Sequence, residues 1–379
     1  MIRPEDLFNY LKTKGIDFYT GVPDSLLKNF CSYVTDSSPK EKHIINSNEG
    51  AAVALASGHY LSSGKPALVY MQNSGLGNAI NPLLSLTDPE VYGIPMLLMI
   101  GWRGEPGKKD EPQHIKQGKV MLGMLDSIGI RHEHLSKDTI DYSEKIDKLI
   151  DEMLKENSPV ALIISEGTFE SYDLKASEKE SVSDFKLRRE DALKIIIDNI
   201  SENDVIVSTT GKTSREVFEY RELKGQGHQN DFLTVGSMGH CSQIALGIAI
   251  EKKDLQVFVL DGDGAVIMQM GSLAISGSEA PENFKHIVIN NGAHDSVGGQ
   301  PTAGFEINFT EIAKACGYKS VSSAQDETGI KNEINKLMNS AGPSFLEIKV
   351  SKGARKDLGR PTTSPHQNKE AFMNYLLNK

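Results

Sequence analysis

Short apolar runs alternate with helix-length amphipathic segments along this chain. In the clearest stretch, Leu255–Leu260 and His286–Ile289 are apolar and rich in β-branched residues, as is typical of strands buried in a parallel sheet. Between them, Ala265–Ser276 has the length and the apolar positions of a helix. This order predicts a strand–helix–strand unit whose two strands end on the same side of the sheet.

The first half of the chain repeats this alternation. The predicted helices are Pro4–Lys14, Ser25–Tyr33 and Ala51–Tyr60, and the predicted strands are Ile16–Thr20, Ile44–Asn46, Ala67–Gln72, Pro95–Gly101 and Val160–Ser165. Trp102–Lys119 is polar and rich in Gly and Pro, so we expect a long loop there. Long loops inside α/β domains usually carry function.

The second half opens as the first does. Arg188–Leu193, followed by the predicted strand Val205–Thr209, echoes Arg3–Leu7 and its strand. This faint similarity suggests two α/β domains of one ancestry. Phe169–Arg188 is charged and short of large apolar residues, which favours a linker. We therefore predict two doubly wound parallel-sheet domains, at 1–168 and 189–379, joined by the linker 169–188.

Composition limits the possible functions. The chain has 379 residues, enough for two ordinary domains, and a net charge of −10, which argues against binding to nucleic acid. The three cysteines, Cys31, Cys241 and Cys316, lie far apart, which fits reduced thiols in a cytoplasmic protein. The N-terminus lacks the apolar core of a signal peptide, and no stretch has the length of a membrane span.

Polar residues follow both strands of the predicted strand–helix–strand unit at 255–289. Gly262 and Gly264 bracket Asp263 after one strand, and Asn290-Asn291 follows the other. Carboxylate and amide oxygens suit Mg²⁺ or Ca²⁺ rather than zinc. The helix that begins near Ala265 points free N–H groups to the same place, and glycine lets a phosphate approach the backbone. We predict a metal-bridged diphosphate anchor, although a lone Gly-Asp-Gly also occurs as a simple turn.

A second acidic residue, Glu49, lies between a predicted strand and a helix, among small residues. A carboxyl in such an apolar setting can share a proton with a ligand. A helix N-terminal acid that interacts favourably with the helix dipole is the alternative. The residues alone leave these two interpretations about equal.

Together, the Gly-Asp-Gly and Asn-Asn motifs resemble the cofactor-binding motif of the thiamine diphosphate-dependent decarboxylases. The resemblance implies that Asp263, Asn291 and the carbonyl of Ala293 bind Mg²⁺, with Gly262, Gly264 and Ala265 at the diphosphate. It also implies a pyrimidine-binding domain followed by a diphosphate-binding domain, without the third central domain of many relatives. The segment around Glu49 matches the family's glutamate, which bonds to N1′ of the aminopyrimidine and favours its imino tautomer.

Further segments extend the resemblance. Thr234–Gln243 is similar to the segment beneath the thiazolium, so the Gly236 carbonyl would accept from the 4′-amino group and Met238 would bend the cofactor. A lone methionine is otherwise core filler. Thr210 and Asn73 each follow a strand and would line the pocket, although a plain turn explains Asn73 as well.

The resemblance also assigns substrate groups. Asp24, Ser25, His114 and Gln117 match family positions that contact substrate and relay protons. His114 suits a general acid, with a solvated loop histidine as the alternative.

Three arginines bear on the substrate: Arg103, and Arg355 and Arg360 in the tail Ser351–Pro365. Arginine suits phosphonate, sulfonate or carboxylate. The segments GVPDSLL, IGWRGEPGKKDEPQH and GRPTTSP are similar to those of the phosphonopyruvate decarboxylases. That resemblance implies conversion of 3-phosphonopyruvate, a small anionic 2-oxo acid, to phosphonoacetaldehyde and CO₂ by thiamine diphosphate ylide chemistry, in phosphonate biosynthesis. It further implies a homo-oligomer with the active site between subunits.

Other functions stay open at this point. Sulfopyruvate decarboxylases are close relatives, often split into two subunits, and another 2-oxo acid remains an alternative substrate. A nicotinamide oxidoreductase would need a strand–GxGxxG–helix unit, which the sequence lacks. A non-catalytic partner subunit would not need both Glu49 and the Asp263/Asn291 pair.

Overall fold

A computed structural model describes residues 1–175 and 185–379 of the chain, which divide into two compact units, one in each range. Each unit contains a six-stranded sheet whose paired strands are all parallel. In each, helices pack on both faces of the sheet, as expected for a doubly wound α/β fold. The predicted fold class is confirmed.

The sheet of the first unit has the order β2-β1-β3-β4-β6-β5. Its strands are β1 Tyr19–Gly21, β2 His43–Ile45, β3 Leu68–Gln72, β4 Leu97–Gly101, β5 Arg131–Leu135 and β6 Val160–Ile164. Its helices are α1 Pro4–Thr13, α2 Lys28–Ser37, α3 Glu49–Ser63, α4 Leu76–Pro82, α5 Pro112–Ser127 and α6 Tyr142–Glu156.

Strand β3 shows why the central strands are apolar throughout. Leu68 and Tyr70 pack with α1, α2 and α6 on one face, and Val69 and Met71 pack with α3, α4 and α5 on the other. Successive side chains of a strand point to opposite faces, so a strand covered on both sides needs a continuous apolar run.

The second unit has the order β8-β7-β9-β10-β12-β11. Its strands are β7 Val205–Ser208, β8 Asp231–Leu233, β9 Val257–Gly262, β10 Phe284–Asn290, β11 Ser320–Ala324 and β12 Ser344–Lys349. Its helices are α7 Arg189–Asn199, α8 Lys212–Leu223, α9 Cys241–Glu251, α10 Asp263–Met268, α11 Gly271–Glu279, α12 Phe309–Ala315, α13 Glu327–Asn339 and α14 Pro365–Leu377.

Both sheets have the same strand order, 2-1-3-4-6-5, when strands are counted within each unit. This agrees with the faint internal similarity of the sequence. In both units the chain leaves the first strand toward one edge and returns with the third strand on its other side. Ligands of open α/β sheets bind at such a switch point, outside the carboxyl ends of the strands.

Two element predictions are wrong. Ala265–Ser276 is not one helix, because Gln269 leaves the helical conformation (φ −128°, ψ 45°) between α10 and α11. Gln269 packs tightly beside Gly239, and Gly271 has low helix propensity, so packing outweighs the apolar pattern. The loop predicted at Trp102–Lys119 ends at residue 111, because Pro112 occupies the first turn of α5.

In the first unit, strand β5 was not predicted. Its sequence, Arg-His-Glu-His-Leu, is polar, and only Leu135 is buried, because β5 lies at an edge of the sheet. The domain boundaries stay a prediction, since residues 176–184 of the predicted linker lie outside the described residues. Within the described ranges, none of the helices has the length and hydropathy needed to cross a bilayer. All three cysteines are free thiols.

Candidate active site

In the first unit, Glu49 is the first residue of α3 and is 4% exposed. The Asn48 side chain caps the helix by accepting from the Ala51 N–H at 2.9 Å, which leaves the Glu49 carboxylate free for other contacts. Its Oε2 accepts from Nδ2 of Asn78 at 2.8 Å. On its other side lies Gly75, where a Cβ would come within 2.5 Å of Glu49 Cγ. The carboxylate is therefore held in a slot that only glycine leaves open.

Asp24 follows β1 and is completely buried. Its Oδ2 accepts from the backbone N–H groups of Leu26 and Leu27. Burial raises the pKa of Asp24, while an interaction with the Gln72 side chain, these backbone bonds and the positive charge of Arg103 oppose that rise. No hydrogen bond of good geometry reaches its Oδ1 from the described residues, and Gly101 lies so close that a Cβ would be 2.9 Å from Oδ2. Asp24 therefore places an unsatisfied carboxyl oxygen at the switch point of this unit.

Arg103 joins several of the predicted substrate residues. Its Nη1 donates to Ser25 Oγ at 3.0 Å, and its backbone N–H and carbonyl bond to the Asn73 amide at 3.2 and 2.7 Å. Asp110 accepts from Nε at 2.8 Å and from Nη2. Asp110 also accepts from the Gly104 N–H at 2.7 Å, so it joins the start and the end of the loop between β4 and α5.

His114 and Gln117 lie one turn apart on α5, next to this group. Burial, with a smaller contribution from Arg103, lowers the pKa of His114 to about 4. The imidazole is therefore neutral near pH 7, and its part as general acid stays a prediction. His114 Nδ1 and Gln117 Oε1, like Asp24 Oδ1, are buried, and no hydrogen bond of good geometry reaches them from the described residues. The Gln117 side chain interacts with His114, and that of Gln72 interacts with Asp24. Orphaned buried polar atoms are rare in native proteins, and a bound ligand is one common explanation.

In the second unit, Asp263 follows β9 and is 3% exposed. The Thr302 hydroxyl donates to its Oδ2, and the Asn291 backbone N–H lies 3.4 Å from its Oδ1. Burial raises the pKa of Asp263 to about 6. The loop after β10 packs closely on the carboxylate, since a Cβ on Gly304 would be 2.6 Å from Oδ2.

The two asparagines at the carboxyl end of β10 have different partners. Asn290 donates to the Gly304 carbonyl at 2.7 Å and to Glu347 at 2.8 Å, so its amide connects β10 to the following loop and to β12. Asn291 donates through Nδ2 to Asp295 at 2.9 Å and accepts through Oδ1 from the Ala293 N–H at 3.1 Å. The Oδ1 of Asn291 keeps a second lone pair for another donor or a cation.

This donor set fits Mg²⁺ held together with a diphosphate. Asp263 is a buried carboxylate to which the described residues form no ion pair, and a buried charge needs a partner. Carboxylate, amide and backbone carbonyl oxygens are hard ligands. Over the described ranges, no group of three His, Cys, Asp or Glu side chains could hold a metal alone. The remaining ligands would therefore come from water and phosphate.

The other predicted cofactor residues lie around this anchor. Thr210 follows β7, and its Oγ1 accepts from the Gly236 N–H at 2.9 Å. Gly236 and Ser237 both have positive φ, and a Cβ on Gly239 would be 2.9 Å from the Ala265 carbonyl. The segment that contains half-buried Met238 therefore packs on the start of α10. This brings residues after β7, β8 and β9 together at one end of the sheet.

The two arginines of the C-terminal tail that were predicted to bind substrate, Arg355 and Arg360, differ in their surroundings. Arg355 forms ion pairs with Glu190 on α7 and Glu219 on α8. Arg360 is exposed. The Gly353 N–H donates to Asp295 at 3.1 Å, so the start of the tail lies beside the loop after β10. The substrate roles of both arginines stay predictions.

Sequence reasoning missed four residues that shape these sites: Asn78, Asp110, Asp295 and Thr302. Each lies in a loop or helix that follows a strand, where polar residues are common. No spacing links them to Glu49, Arg103, Asn291 or Asp263, so only the general rule that sites form at the carboxyl ends of strands could have suggested them.

Comparison with known proteins identifies both units. Residues 4–128 match the N-terminal TPP (thiamine pyrophosphate, the same cofactor as thiamine diphosphate) binding domain of thiamine pyrophosphate enzymes, and residues 209–348 match their C-terminal TPP binding domain. A phosphonopyruvate decarboxylase of Streptomyces viridochromogenes is 31% identical over 99% of this chain and 95% of its own length. That of Streptomyces hygroscopicus is 32% identical over 99% and 94%.

A sulfopyruvate decarboxylase of Methanosarcina acetivorans is 27% identical over 93% of this chain and 92% of its own length. The domain matches cover both halves of the chain, and the relatives match it from end to end. The chain therefore belongs to the thiamine diphosphate-dependent 2-oxo acid decarboxylases, carbon–carbon lyases, in the branch that includes the phosphonopyruvate and sulfopyruvate decarboxylases.

Proposed function

We propose that this enzyme decarboxylates 3-phosphonopyruvate to phosphonoacetaldehyde and CO₂, with thiamine diphosphate bound through Mg²⁺, as a step of phosphonate biosynthesis. The similarity to two phosphonopyruvate decarboxylases along the whole chain supports the substrate. The observation that carries the chemistry is Asp263, a buried carboxylate in hydrogen-bond contact with Asn291 at the carboxyl ends of β9 and β10.

Thiamine diphosphate supplies the carbon nucleophile and the electron sink that loss of CO₂ from a 2-oxo acid requires. Asp263, Asn291 and the Ala293 carbonyl would hold Mg²⁺. Gly262, Gly264 and Ala265 would leave room for the diphosphate, with Thr210 beside them. Because Asp263 is buried and the described residues offer it no cationic partner, Mg²⁺ would supply the missing positive charge.

Glu49 would hold a proton at N1′ of the aminopyrimidine. Its carboxylate is already positioned, because Asn78 and Gly75 fix it from two sides. A catalytic group that is already in position stabilises the transition state more, because no free energy is spent on moving it during the reaction. The Gly236 carbonyl would accept from the 4′-amino group, and Met238 would support the bent cofactor.

Asp24, Ser25, His114 and Gln117 would bind the reacting end of the substrate. Three of their polar atoms are buried and receive no hydrogen bond of good geometry from the described residues, which suits a ligand that brings its own donors and acceptors. Arg103 would face the phosphonate. Its described contacts use three of the five guanidinium N–H donors, so two remain for the substrate.

We further propose that the chain self-associates, with Glu49 of one copy facing the diphosphate-binding unit of another. Sulfopyruvate decarboxylases are also found as alpha and beta subunits, and each kind matches part of this chain. Those proteins therefore divide between two chains what this protein carries in one.

The test is CO₂ release with thiamine diphosphate and Mg²⁺ on phosphonopyruvate, sulfopyruvate and pyruvate. We expect the highest kcat/KM with phosphonopyruvate. A higher kcat/KM with sulfopyruvate would favour the alternative function, decarboxylation of sulfopyruvate. The similarity to the Methanosarcina acetivorans enzyme over most of both chains supports that alternative. Asp263→Ala is the control for cofactor dependence and should bind thiamine diphosphate far more weakly while keeping its fold. Native cofactor binding by this variant would refute the anchor.

A further inference from the structure

We propose that Asp295 is a positioning residue, which holds the side-chain amide of Asn291 in the one orientation that presents its oxygen to a cation. The inference rests on the proposed Mg²⁺–diphosphate anchor and extends it to a residue outside the ligand set. It follows from the two contacts of the Asn291 amide and from the network that fixes Asp295.

The Asn291 amide lies between two partners of opposite kind. Nδ2 donates to Asp295 Oδ2 at 2.9 Å, and Oδ1 accepts from the Ala293 backbone N–H at 3.1 Å. A carboxylate only accepts and a backbone N–H only donates. A flipped amide would therefore set an oxygen against the carboxylate and an NH₂ group against the N–H. Asp295 thus selects the orientation in which Oδ1, the atom able to ligate Mg²⁺, is kept available.

Asp295 itself is fixed from three sides. Its Oδ2 also accepts from Arg189 Nη1 and from the Gly353 N–H, both at 3.1 Å. Its backbone carbonyl accepts from Lys212 Nζ at 2.9 Å. The Asp295 side chain is 9% exposed and that of Arg189 is 8% exposed. Contacts from α7 and the C-terminal tail therefore hold the carboxylate, and a contact from α8 holds the backbone, in place beside Asn291.

A simpler role for Asp295 would be to neutralise Arg189. Glu216 already does so, because its two oxygens accept from Arg189 Nε and Nη2 at 2.7 and 2.9 Å. Asp295 also accepts from the Asn291 amide and the Gly353 N–H, and among the described hydrogen bonds Glu216 makes neither contact. Glu216 is therefore a matched control, a buried carboxylate on the same guanidinium without a contact to a proposed metal ligand.

The experiment measures thiamine diphosphate binding by calorimetry at increasing Mg²⁺ concentrations. Loss of a residue that orients a metal ligand typically weakens metal binding 10–100-fold. In Asp295→Ala the Mg²⁺ concentration for half-maximal cofactor binding should rise at least about tenfold. Asp295→Asn keeps an oxygen acceptor toward Asn291 and should stay close to native. Glu216→Gln should also leave the Mg²⁺ requirement near native.

A double variant tests orientation directly. A carboxylate presents oxygen on both sides and has no wrong orientation, so Asn291→Asp should recover Mg²⁺ binding when added to Asp295→Ala. Thermal unfolding without Mg²⁺ and cofactor reports the fold of each variant. Should Asp295→Ala fail to fold, Asp295→Leu replaces it, because leucine fills a similar volume without an acceptor.

The outcomes separate this inference from the proposed function. A native Mg²⁺ requirement in Asp295→Ala, with binding lost in Asp263→Ala, overturns the role of Asp295 and keeps the anchor. An equal loss in Asp295→Asn and Asp295→Ala also overturns it, because charge rather than orientation would then matter. Native cofactor binding in Asp263→Ala refutes the anchor itself.

Discussion

The carboxylate of Glu49 lies directly against the backbone of Gly75. A Cβ on residue 75 would be within 2.5 Å of Glu49 Cγ and closer still to the carboxyl group. Gly75 has φ −78° and ψ −14°, which every L-residue adopts, so alanine there would meet no backbone strain. A methyl group at this position would therefore act on the protein almost wholly by displacing Glu49.

Gly75→Ala should lower kcat by about two orders of magnitude, the effect expected when a catalytic group moves by roughly 1 Å. Thiamine diphosphate affinity should change little, because the proposed anchor lies in the second unit. Gly77→Ala is the matched control, because a Cβ there meets no described atom within 4 Å. This substitution should stabilise α4 by up to about 1 kcal/mol. Steady-state kinetics and chemical unfolding measure both effects. A native kcat in Gly75→Ala would show that Glu49 can move without cost.

Glu49→Gln should still bind thiamine diphosphate and Mg²⁺. Exchange of the cofactor C2 proton should slow by orders of magnitude, because an amide cannot share a proton with N1′ as a carboxyl does. NMR of C2–H exchange in the loaded variant measures this. Asn78→Ala removes the hydrogen bond to Glu49 but keeps the carboxyl, so its exchange rate should lie between those of native protein and Glu49→Gln. Native exchange in Glu49→Gln would refute the role of Glu49.

Mixing two inactive variants tests assembly. If each site combines Glu49 of one copy with Asp263 of another, a dimer of Glu49→Gln and Asp263→Ala has one intact site. Random reassociation makes half of the dimers mixed, so activity should return to about a quarter of native. Each variant mixed with itself is the control. No recovery, with mixed dimers shown by mass spectrometry, would place both residues of each site on one chain.

Arg103→Met should raise the pKa of His114 from about 4 toward its ordinary 6.5, because a nearby cation that opposes the imidazolium is removed. Burial remains, so the rise should be partial. His43, whose pKa burial alone lowers to about 4, is the internal control and should not shift. Histidine Cε1–H signals followed from pH 3.5 to 7 report both residues. An unchanged His114 would mean that burial accounts for its whole shift.

The same shift makes a prediction about stability. The folded pKa of His114 lies below the unfolded value, so the unfolded state binds more protons between about pH 4 and 6.5. This histidine should therefore destabilise the fold as pH falls through that window, by at most about 1.4 kcal/mol per pH unit. The His114→Gln variant should lose less stability than native protein on acidification, as measured by melting temperature against pH. Parallel curves would contradict this.

The three predicted substrate arginines should differ. Arg103→Ala should lose roughly 2–5 kcal/mol of transition-state binding on phosphonopyruvate and far less on pyruvate, as expected for a buried contact to a charged group. Arg355 is ion-paired to Glu190 and Glu219, so Arg355→Ala should cost under about 1 kcal/mol on either substrate. Arg360 is exposed, so Arg360→Ala should also cost under about 1 kcal/mol. Near-native kcat/KM for all three on phosphonopyruvate would place the phosphonate elsewhere.

The sequence by itself determined the fold class and the meeting of Asp263 with Asn291. Apolar periodicity is a local property, and parallel strands joined by a helix must end on one side of a sheet, so residues at both ends converge. Glu49 was also recognised as a candidate, although its residues alone left its role open.

Only the tertiary structure decided which side chains complete each site. Asp110 binds Arg103, Thr302 binds Asp263, and Asp295 binds Asn291, and each of these residues lies in a loop beyond the end of a strand. Such contacts depend on how irregular loops pack, which leaves no period in the sequence. The break between α10 and α11 and the polar edge strand β5 have the same origin. Contacts beside Gly239 interrupt the helix that the apolar pattern predicted. A position at the sheet edge lets the polar sequence of β5 form a strand.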